Sequence, residues 1–109
     1  MTNKHLETFT DANFEREVLM SDLPVLVEFG GEWCRPCRIL EPILDKVAVD
    51  YAGALRVGIS DADTNGEIAT RYEIVSLPTL LVFRAGRVVA RVIGAVPRKK
   101  LDGVLAPVL

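Results

Sequence analysis

A continuous apolar run, Val25-Leu26-Val27-Glu28-Phe29, constrains the fold of this chain more than any other feature. Its length and its β-branched residues are typical of a strand that is covered on both faces. Gly30-Gly31 end the run, and from Cys34 to about Val49 apolar residues recur at the i, i+3 and i+4 spacing of a helix. A doubly covered strand followed at once by a helix predicts an α/β fold.

The remaining patterns predict further strands and helices around this unit. We expect strands at 6–9, 55–59, 80–83 and 88–93, and helices at 11–20, 64–72 and from 97 to about 108. Thr10 is expected to cap the first of these helices, and Thr64 with Glu67 forms a capping box for the second. In the central helix, Ile39 is expected on the apolar face and Glu41 on the outer face.

The predicted order of elements is β-α-β-α-β-α-β-β-α. It predicts a mixed central sheet of about five strands, with a parallel core, an antiparallel hairpin at the edge and helices on both faces. With 109 residues, the chain is expected to form a single domain, 1–109, because two domains would each be too small for their own core.

Composition and charge narrow the possible functions. Hydrophobic residues make up 50% and charged residues 26% of the chain, and the net charge of −2 favours neither nucleic acid nor an anionic membrane as partner. No apolar run is long enough to span a bilayer, and 1–5 show no signal-peptide core, so we expect a cytoplasmic protein. Residues 84–100 contain basic residues but no acidic ones, which fits an acidic partner or nucleic acid but is more typical of a solvated face.

The only two cysteines are Cys34 and Cys37, three positions apart. In a reducing compartment such a pair is a redox dithiol, half of a metal site, or two buried thiols without a role. At a helix start, Cys34 faces free backbone N–H groups and the positive end of the helix dipole, which favour the thiolate. Cys37 lies one turn further, within reach of Cys34, so the pair can carry out dithiol–disulfide exchange. A metal site needs about four ligands, and His5 is the only histidine, so we expect no metal within one chain; a site shared between two chains is the weaker alternative.

Over essentially its whole length the chain resembles the thioredoxin family. The resemblance rests on segments that match in order and spacing: Val25–Phe29, Trp33-Cys34-Arg35-Pro36-Cys37, Pro42, 71–74, Leu77–Phe83, Gly86 and Gly94. It implies a thiol–disulfide oxidoreductase that reduces disulfide-containing target proteins and serves electron transfer and cell redox homeostasis. It also implies a monomer that is re-reduced by an NADPH-dependent thioredoxin reductase. Because the sequence contains no glycine-rich nucleotide-binding loop, we expect no cofactor of its own.

The resemblance assigns roles to single residues. Cys34 resembles the attacking cysteine of the family, and Trp33 beside it resembles an exposed contact for substrates. Pro78 resembles the family's cis-proline, which packs beside the cysteines and leaves the backbone of Leu77 free to pair with an extended substrate segment. Gly94 falls in the same implied substrate-binding surface.

Glu28 lies where the family usually has a buried aspartate beneath the cysteines, which is thought to assist proton transfer at the resolving thiol, here Cys37. Its side chain is one methylene longer, and the lysine that often accompanies this acid is replaced by Ile59. Since no cation is expected nearby, burial should raise the pKa of Glu28.

Two further departures lie next to the cysteines. The family's commonest pair between them is Gly-Pro, whereas this chain has Arg35-Pro36, so we expect these two residues to tune the active site. An aromatic residue and an alanine usually precede Glu32, and here Gly30-Gly31 take their place.

Two other functions remain open at this stage. One is a non-catalytic interaction module with the thioredoxin fold, in which the cysteines are incidental. The other keeps the chemistry but reverses its direction, so that the protein acts as an oxidant or isomerase.

Overall fold

A computed structural model describes residues 4–109. Residues 1–3 lie outside the described residues; they belong to the N-terminal segment in which we expect no signal peptide. Five strands form one sheet: β1 (Glu7–Thr8), β2 (Val25–Gly30), β3 (Arg56–Asp61), β4 (Thr79–Arg84) and β5 (Arg87–Ile93). Their order across the sheet is β1-β3-β2-β4-β5. β1, β3 and β2 run parallel, whereas β4 is antiparallel to both β2 and β5. The mixed sheet predicted from the sequence is confirmed.

Helices cover both faces of this sheet. They are α1 (Arg35–Asp50), α2 (Gly66–Arg71) and α3 (Arg98–Leu105), with a short π-helical segment at Glu15–Leu19. On one face, α1 and α3 pack on alternate strand residues in a buried cluster that includes Leu26, Leu40, Leu44, Val57, Leu80, Val82, Leu101 and Leu105. On the other face, α2 and the π-helical segment pack on a cluster that includes Phe9, Phe14, Val18, Val25, Val27, Phe29, Ile68, Leu81 and Phe83. All six residues of β2 are therefore buried, as the sequence predicts.

The first predicted helix forms only in part. Turns occupy 11–13, and the π-helical segment follows at Glu15–Leu19 instead of a continuous helix over 11–20. Thr10 caps the turn reciprocally with Asn13: the Asn13 N–H donates to Thr10 Oγ1 (3.2 Å), and the Thr10 N–H donates to Asn13 Oδ1 (2.8 Å). Phe14 and Val18 are buried, so the apolar face is placed correctly although the helix type is not.

The predicted capping box of the second helix is wrong. α2 begins at Gly66 with Asn65 at its N-cap, and no side chain of the cap residue accepts a bond there. The carboxylate of Asp11 accepts instead, from the N–H of Glu67 (3.3 Å) and of Ile68 (3.0 Å). Because Asp11 comes from a distant part of the chain, no local pattern could reveal this cap.

The faces of α1 differ from the prediction at two positions. Ile39 is 61% exposed, whereas Glu41 is half-buried. The buried stripe of the helix consists of Cys37, Leu40, Leu44 and Val47. At 100° per residue, Glu41 lies nearer to the centre of this stripe than Ile39 does, so the helix turns the acid inward and the isoleucine outward.

β4 and β5 form the predicted hairpin through a two-residue turn at Ala85-Gly86. Both residues have positive φ, 53° and 79°. This backbone matches the twist of the flanking strands, and glycine adopts it without steric cost. Among the described residues, no helix is long and apolar enough to cross a membrane.

Candidate active site

The cysteines lie where the central strand passes into the longest helix. β2 ends at Gly30, and Cys34 is the N-cap residue of α1. The Cys34 N–H donates to the Gly31 carbonyl (3.1 Å), and the Arg38 guanidinium donates to the Glu32 carbonyl (Nε, 3.1 Å). Arg38 thus holds the loop against the first turn of the helix, a role that our sequence analysis missed.

Cys34 and Cys37 are joined by a disulfide bond, with an S–S distance of 2.09 Å and Cα atoms 5.2 Å apart. The backbone N–H of Cys37 also donates to Cys34 Sγ, at 3.2 Å. This is the arrangement expected of a cysteine at a helix start, where backbone donors favour the thiolate once the disulfide is reduced. Cys34 is half-buried and Cys37 is fully buried, so Cys34 is the more accessible of the two residues.

Glu28 lies beneath Cys37, on the face of β2 that packs against α1. A Cβ atom added to Gly30 would lie 3.1 Å from Cys37 Sγ and 3.2 Å from Glu28 Oε2, so these two atoms are at most about 6 Å apart. Glu28 is 0% exposed, and among residues 4–109 neither of its carboxyl oxygens makes a hydrogen bond. In the parallel register its neighbour on β3 is Ile59, which supplies no charge.

Burial and a second carboxyl group act together on Glu28. Desolvation, followed by repulsion from the Glu41 carboxylate, raises its pKa to about 9. The direction confirms our expectation, but the contribution of Glu41 was not predicted. The signal was present, because Glu41 follows Cys37 by four residues and therefore shares its face of α1.

The Leu77–Pro78 peptide bond is cis, as the resemblance implies. Thr79, the first residue of β4, pairs with Phe29 near the end of β2, so the bond lies at the same end of the sheet as the active-site loop. The Leu77 side chain reaches this loop: its Cδ1 would lie 3.3 Å from a Cβ at Gly31. The Gly94 N–H donates to the Pro78 carbonyl (2.8 Å), which brings the end of β5 to the same place.

The surface around the disulfide has exposed apolar side chains and exposed helix-start residues. Trp33 is 89% exposed, and Val75, two residues before Leu77, is 91% exposed. Arg35 and Pro36 are also exposed, in the first turn of α1. Among residues 4–109, Arg35 has no ion-pair partner.

Part of the basic stretch 84–100 is used within the fold. Arg98 forms ion pairs with Asp50 and Asp102, both at 2.9 Å, and the Arg91 guanidinium donates to the Tyr72 carbonyl (2.7 Å). These bonds give the stretch a structural role at two of its positions.

A disulfide at the start of a helix, with one accessible and one buried sulfur on a mixed α/β sheet, defines the class of thiol–disulfide oxidoreductases. The family model described as Thioredoxin matches residues 5–106. The chain is 46% identical to a thioredoxin of Porphyra purpurea over 96 residues, which cover 88% of this chain and 90% of that protein. It is 45% identical to thioredoxin 1 of Nostoc sp., again over 88% and 90% of the two chains. It is 41% identical to a thioredoxin of Pseudomonas aeruginosa over 103 residues, covering 94% and 95%.

The chain belongs to the thioredoxin family. It is a protein disulfide reductase whose redox-active centre is the Cys34–Cys37 pair, and it acts on target disulfides and is re-reduced by a partner reductase. The fold, the activity and the redox-active pair inferred from the sequence are confirmed.

Proposed function

We propose that Cys34 is the attacking cysteine and Cys37 the resolving cysteine. The Cys34 thiolate attacks a target disulfide R–S–S–R′, forms a bond to one sulfur and expels the other as a thiolate, which takes a proton. Cys37 then loses its proton, attacks Cys34 Sγ and expels the second target thiolate. The observation that carries this assignment is the contrast between a half-buried Cys34, whose sulfur accepts a backbone N–H, and a fully buried Cys37.

We propose that Glu28 exchanges the proton of Cys37. The support is its position beneath Cys37 Sγ and its lack of a hydrogen-bond partner within residues 4–109. A buried carboxyl group with a raised pKa holds a proton near neutral pH and can pass it to or from a neighbouring thiol.

We propose that substrates bind across the end of the sheet next to the disulfide. The exposed indole of Trp33 offers an apolar contact, and Leu77 makes no backbone hydrogen bond among the described residues. An extended target segment can therefore pair with Leu77 as an added strand, on a platform that the cis-bonded Pro78 and Gly94 hold in place.

The finer expectations for the chain belong to the same proposal. We propose a single domain over 1–109 that acts as a monomer, works in the cytoplasm and receives electrons from an NADPH-dependent thioredoxin reductase. The two hydrophobic clusters on opposite faces of one sheet support the single domain. A reducing compartment suits a protein that delivers electrons to disulfides. NADPH oxidation in the presence of a purified thioredoxin reductase tests the electron donor, and sedimentation tests the monomer.

Insulin reduction driven by dithiothreitol tests the assignment of the cysteines. We expect the wild-type protein to accelerate the reaction, Cys34→Ser to abolish the acceleration, and Cys37→Ser to abolish turnover while leaving the first attack intact. Equal rates for the wild type and Cys34→Ser would favour the interaction module over the reductase. Equilibration with glutathione measures the redox potential and separates a reductase from an oxidant or isomerase.

A further inference from the structure

A cleft of about 340 Å³ opens beside the buried half of the active site. It is bounded by the end of β2, the adjoining part of β3, the active-site loop and α1, and its lining includes Glu28, Gly30, Glu41 and Ser60. The glycine pair that replaces the family's usual aromatic residue and alanine contributes no side chains to this wall. The cleft has room for several water molecules.

One side chain on the wall of the cleft is buried and unpartnered. Glu28 is 0% exposed, and neither of its carboxyl oxygens has a hydrogen-bond partner within residues 4–109. Buried polar groups in folded proteins are nearly always paired with protein or ordered water. The cleft therefore offers the buried carboxyl group of Glu28 a route to solvent.

We propose that Glu28 and Glu41 act as a carboxyl pair that carries the proton of Cys37 between the buried sulfur and solvent, along the cleft that both side chains line. This inference rests on the proposed roles of Cys37 and Glu28 and adds Glu41 as a positioning and relay residue. Repulsion from Glu41 adds to desolvation in raising the pKa of Glu28, because a second charge in a desolvated site is costly. Glu28 therefore needs a neighbouring acceptor for its own proton before it can take the proton of Cys37.

The resolving step balances through this pair. The proton that Glu28 holds near neutral pH moves to the Glu41 carboxylate as the S–H bond of Cys37 breaks and the thiol proton passes to Glu28, while the sulfur electron pair forms the bond to Cys34 Sγ. The bond between Cys34 and the target sulfur breaks, and the target leaves as a thiolate that takes a proton from water. The proton on Glu41 then passes to water at the cleft, which restores the pair.

Other charged groups also face the cleft, and the test must separate them from Glu41. They are Glu32 on the loop, Arg38 on α1 and Asp61 at the end of β3. Arg38 is committed to the Glu32 carbonyl, and Asp61 accepts the N–H of Asp63 (2.9 Å). Glu32 is exposed and its side chain makes no bond among the described residues, so Glu32→Gln is a matched control for the loss of one carboxylate at the cleft.

Stopped-flow reaction of the reduced protein with Ellman's reagent separates attack from resolution. The first release of thionitrobenzoate depends on reagent concentration and reports Cys34, whereas the second is independent of it and reports Cys37. We expect Glu41→Gln to slow the second release about tenfold near neutral pH and to leave the first unchanged, a smaller loss than removal of a general acid or base usually causes, because Glu28 remains. Glu41→Asp keeps a carboxyl group and should recover most of the rate, and Glu32→Gln should match the wild type.

A double variant tests whether the two carboxyl groups act together. In the Glu28→Gln background, Glu41→Gln should slow the second release no further, because the relay is already broken. Infrared titration of the carboxyl C=O band in the oxidised protein should show Glu28 ionising at lower pH in Glu41→Gln.

Two results would overturn the relay alone, and a third would overturn it together with the cysteine roles. One is a pH profile of the second release that moves to lower pH in Glu41→Gln with its maximum rate unchanged, which would make Glu41 only a neighbouring charge. The other is an additive loss in the double variant. If the wild-type protein shows no second release, the proposed roles of the two cysteines fail, and the relay fails with them.

Discussion

Replacing Glu28 with glutamine should change how the stability of the protein depends on pH. The pKa of Glu28 is raised to about 9 in the folded protein from 4.5, its value in an unfolded chain. Between these two values the folded protein binds one proton more than the unfolded chain, so the stability due to this group is present below about pH 4.5 and is lost as pH rises towards 9. Glutamine does not ionise, and Glu28→Gln therefore lacks this loss.

The size of the effect follows from the same linkage. One pH unit within this window corresponds to about 1.4 kcal/mol, so the contribution falls by on the order of 4 kcal/mol between about pH 5 and pH 8. Because Glu28 is buried, solvent screens little of this contribution to the free energy of unfolding. We expect Glu28→Gln and the wild type to be similarly stable near pH 5, and the variant to be more stable by several kcal/mol near pH 8.

Urea denaturation of the oxidised protein, followed by circular dichroism at several pH values, measures this difference without titrating cysteines. Glu32→Gln removes an exposed carboxylate and should follow the wild-type curve. Parallel curves for the wild type and Glu28→Gln would refute the reasoning, since they would mean that Glu28 ionises alike in the folded and unfolded states. Turnover should fall in Glu28→Gln even where its stability rises, because the proton acceptor is lost.

Three further predictions concern the sulfurs, the charge between them and the cap of α2. One equivalent of an alkylating agent should label Cys34 before Cys37, because Cys37 is fully buried, and Cys37→Ser should accumulate mixed disulfides; mass mapping checks both. Arg35→Gly should lower the redox potential by roughly 10–20 mV, because it removes a screened positive charge that stabilises the reduced sulfur by about 0.5–1 kcal/mol. Equilibration with glutathione measures the potential. An unchanged potential would show that the exposed side chain does not reach the site. Asp11→Ala should destabilise the protein by about 1–2 kcal/mol in urea denaturation, because the N–H groups of Glu67 and Ile68 lose their acceptor, whereas Asp11→Asn should retain part of the cap.

Much of the fold and the reactive pair could be predicted from local patterns. The pattern of Val25–Phe29 predicts a strand covered on both faces, because successive side chains, which point to opposite faces, are almost all apolar. In the structure β2 is buried at every position. The Cys34–Cys37 spacing and the helical period that follows place one sulfur at a helix start and the other one turn inside, and both are found there. Such features depend on residues a few positions apart, and backbone geometry converts their spacing directly into direction.

Features that depend on distant residues could not be predicted in this way. The cap of α2 comes from Asp11. The second carboxyl group that acts on Glu28 comes from Glu41, which the helical pattern had placed on the outer face of α1.

The sequence by itself determined the mixed α/β sheet, the identity of the two reactive sulfurs and the presence of an acid in a buried strand. Only the tertiary structure decided what surrounds that acid: Cys37 and Glu41 on one side, Ile59 in the adjacent strand, and a cleft behind the glycine pair. The physical reason is the distance along the chain between the residues that interact. Strand and helix patterns arise from contacts within a few residues, whereas the ionisation of a buried carboxyl group depends on desolvation and on charges brought near by packing of elements far apart in the chain.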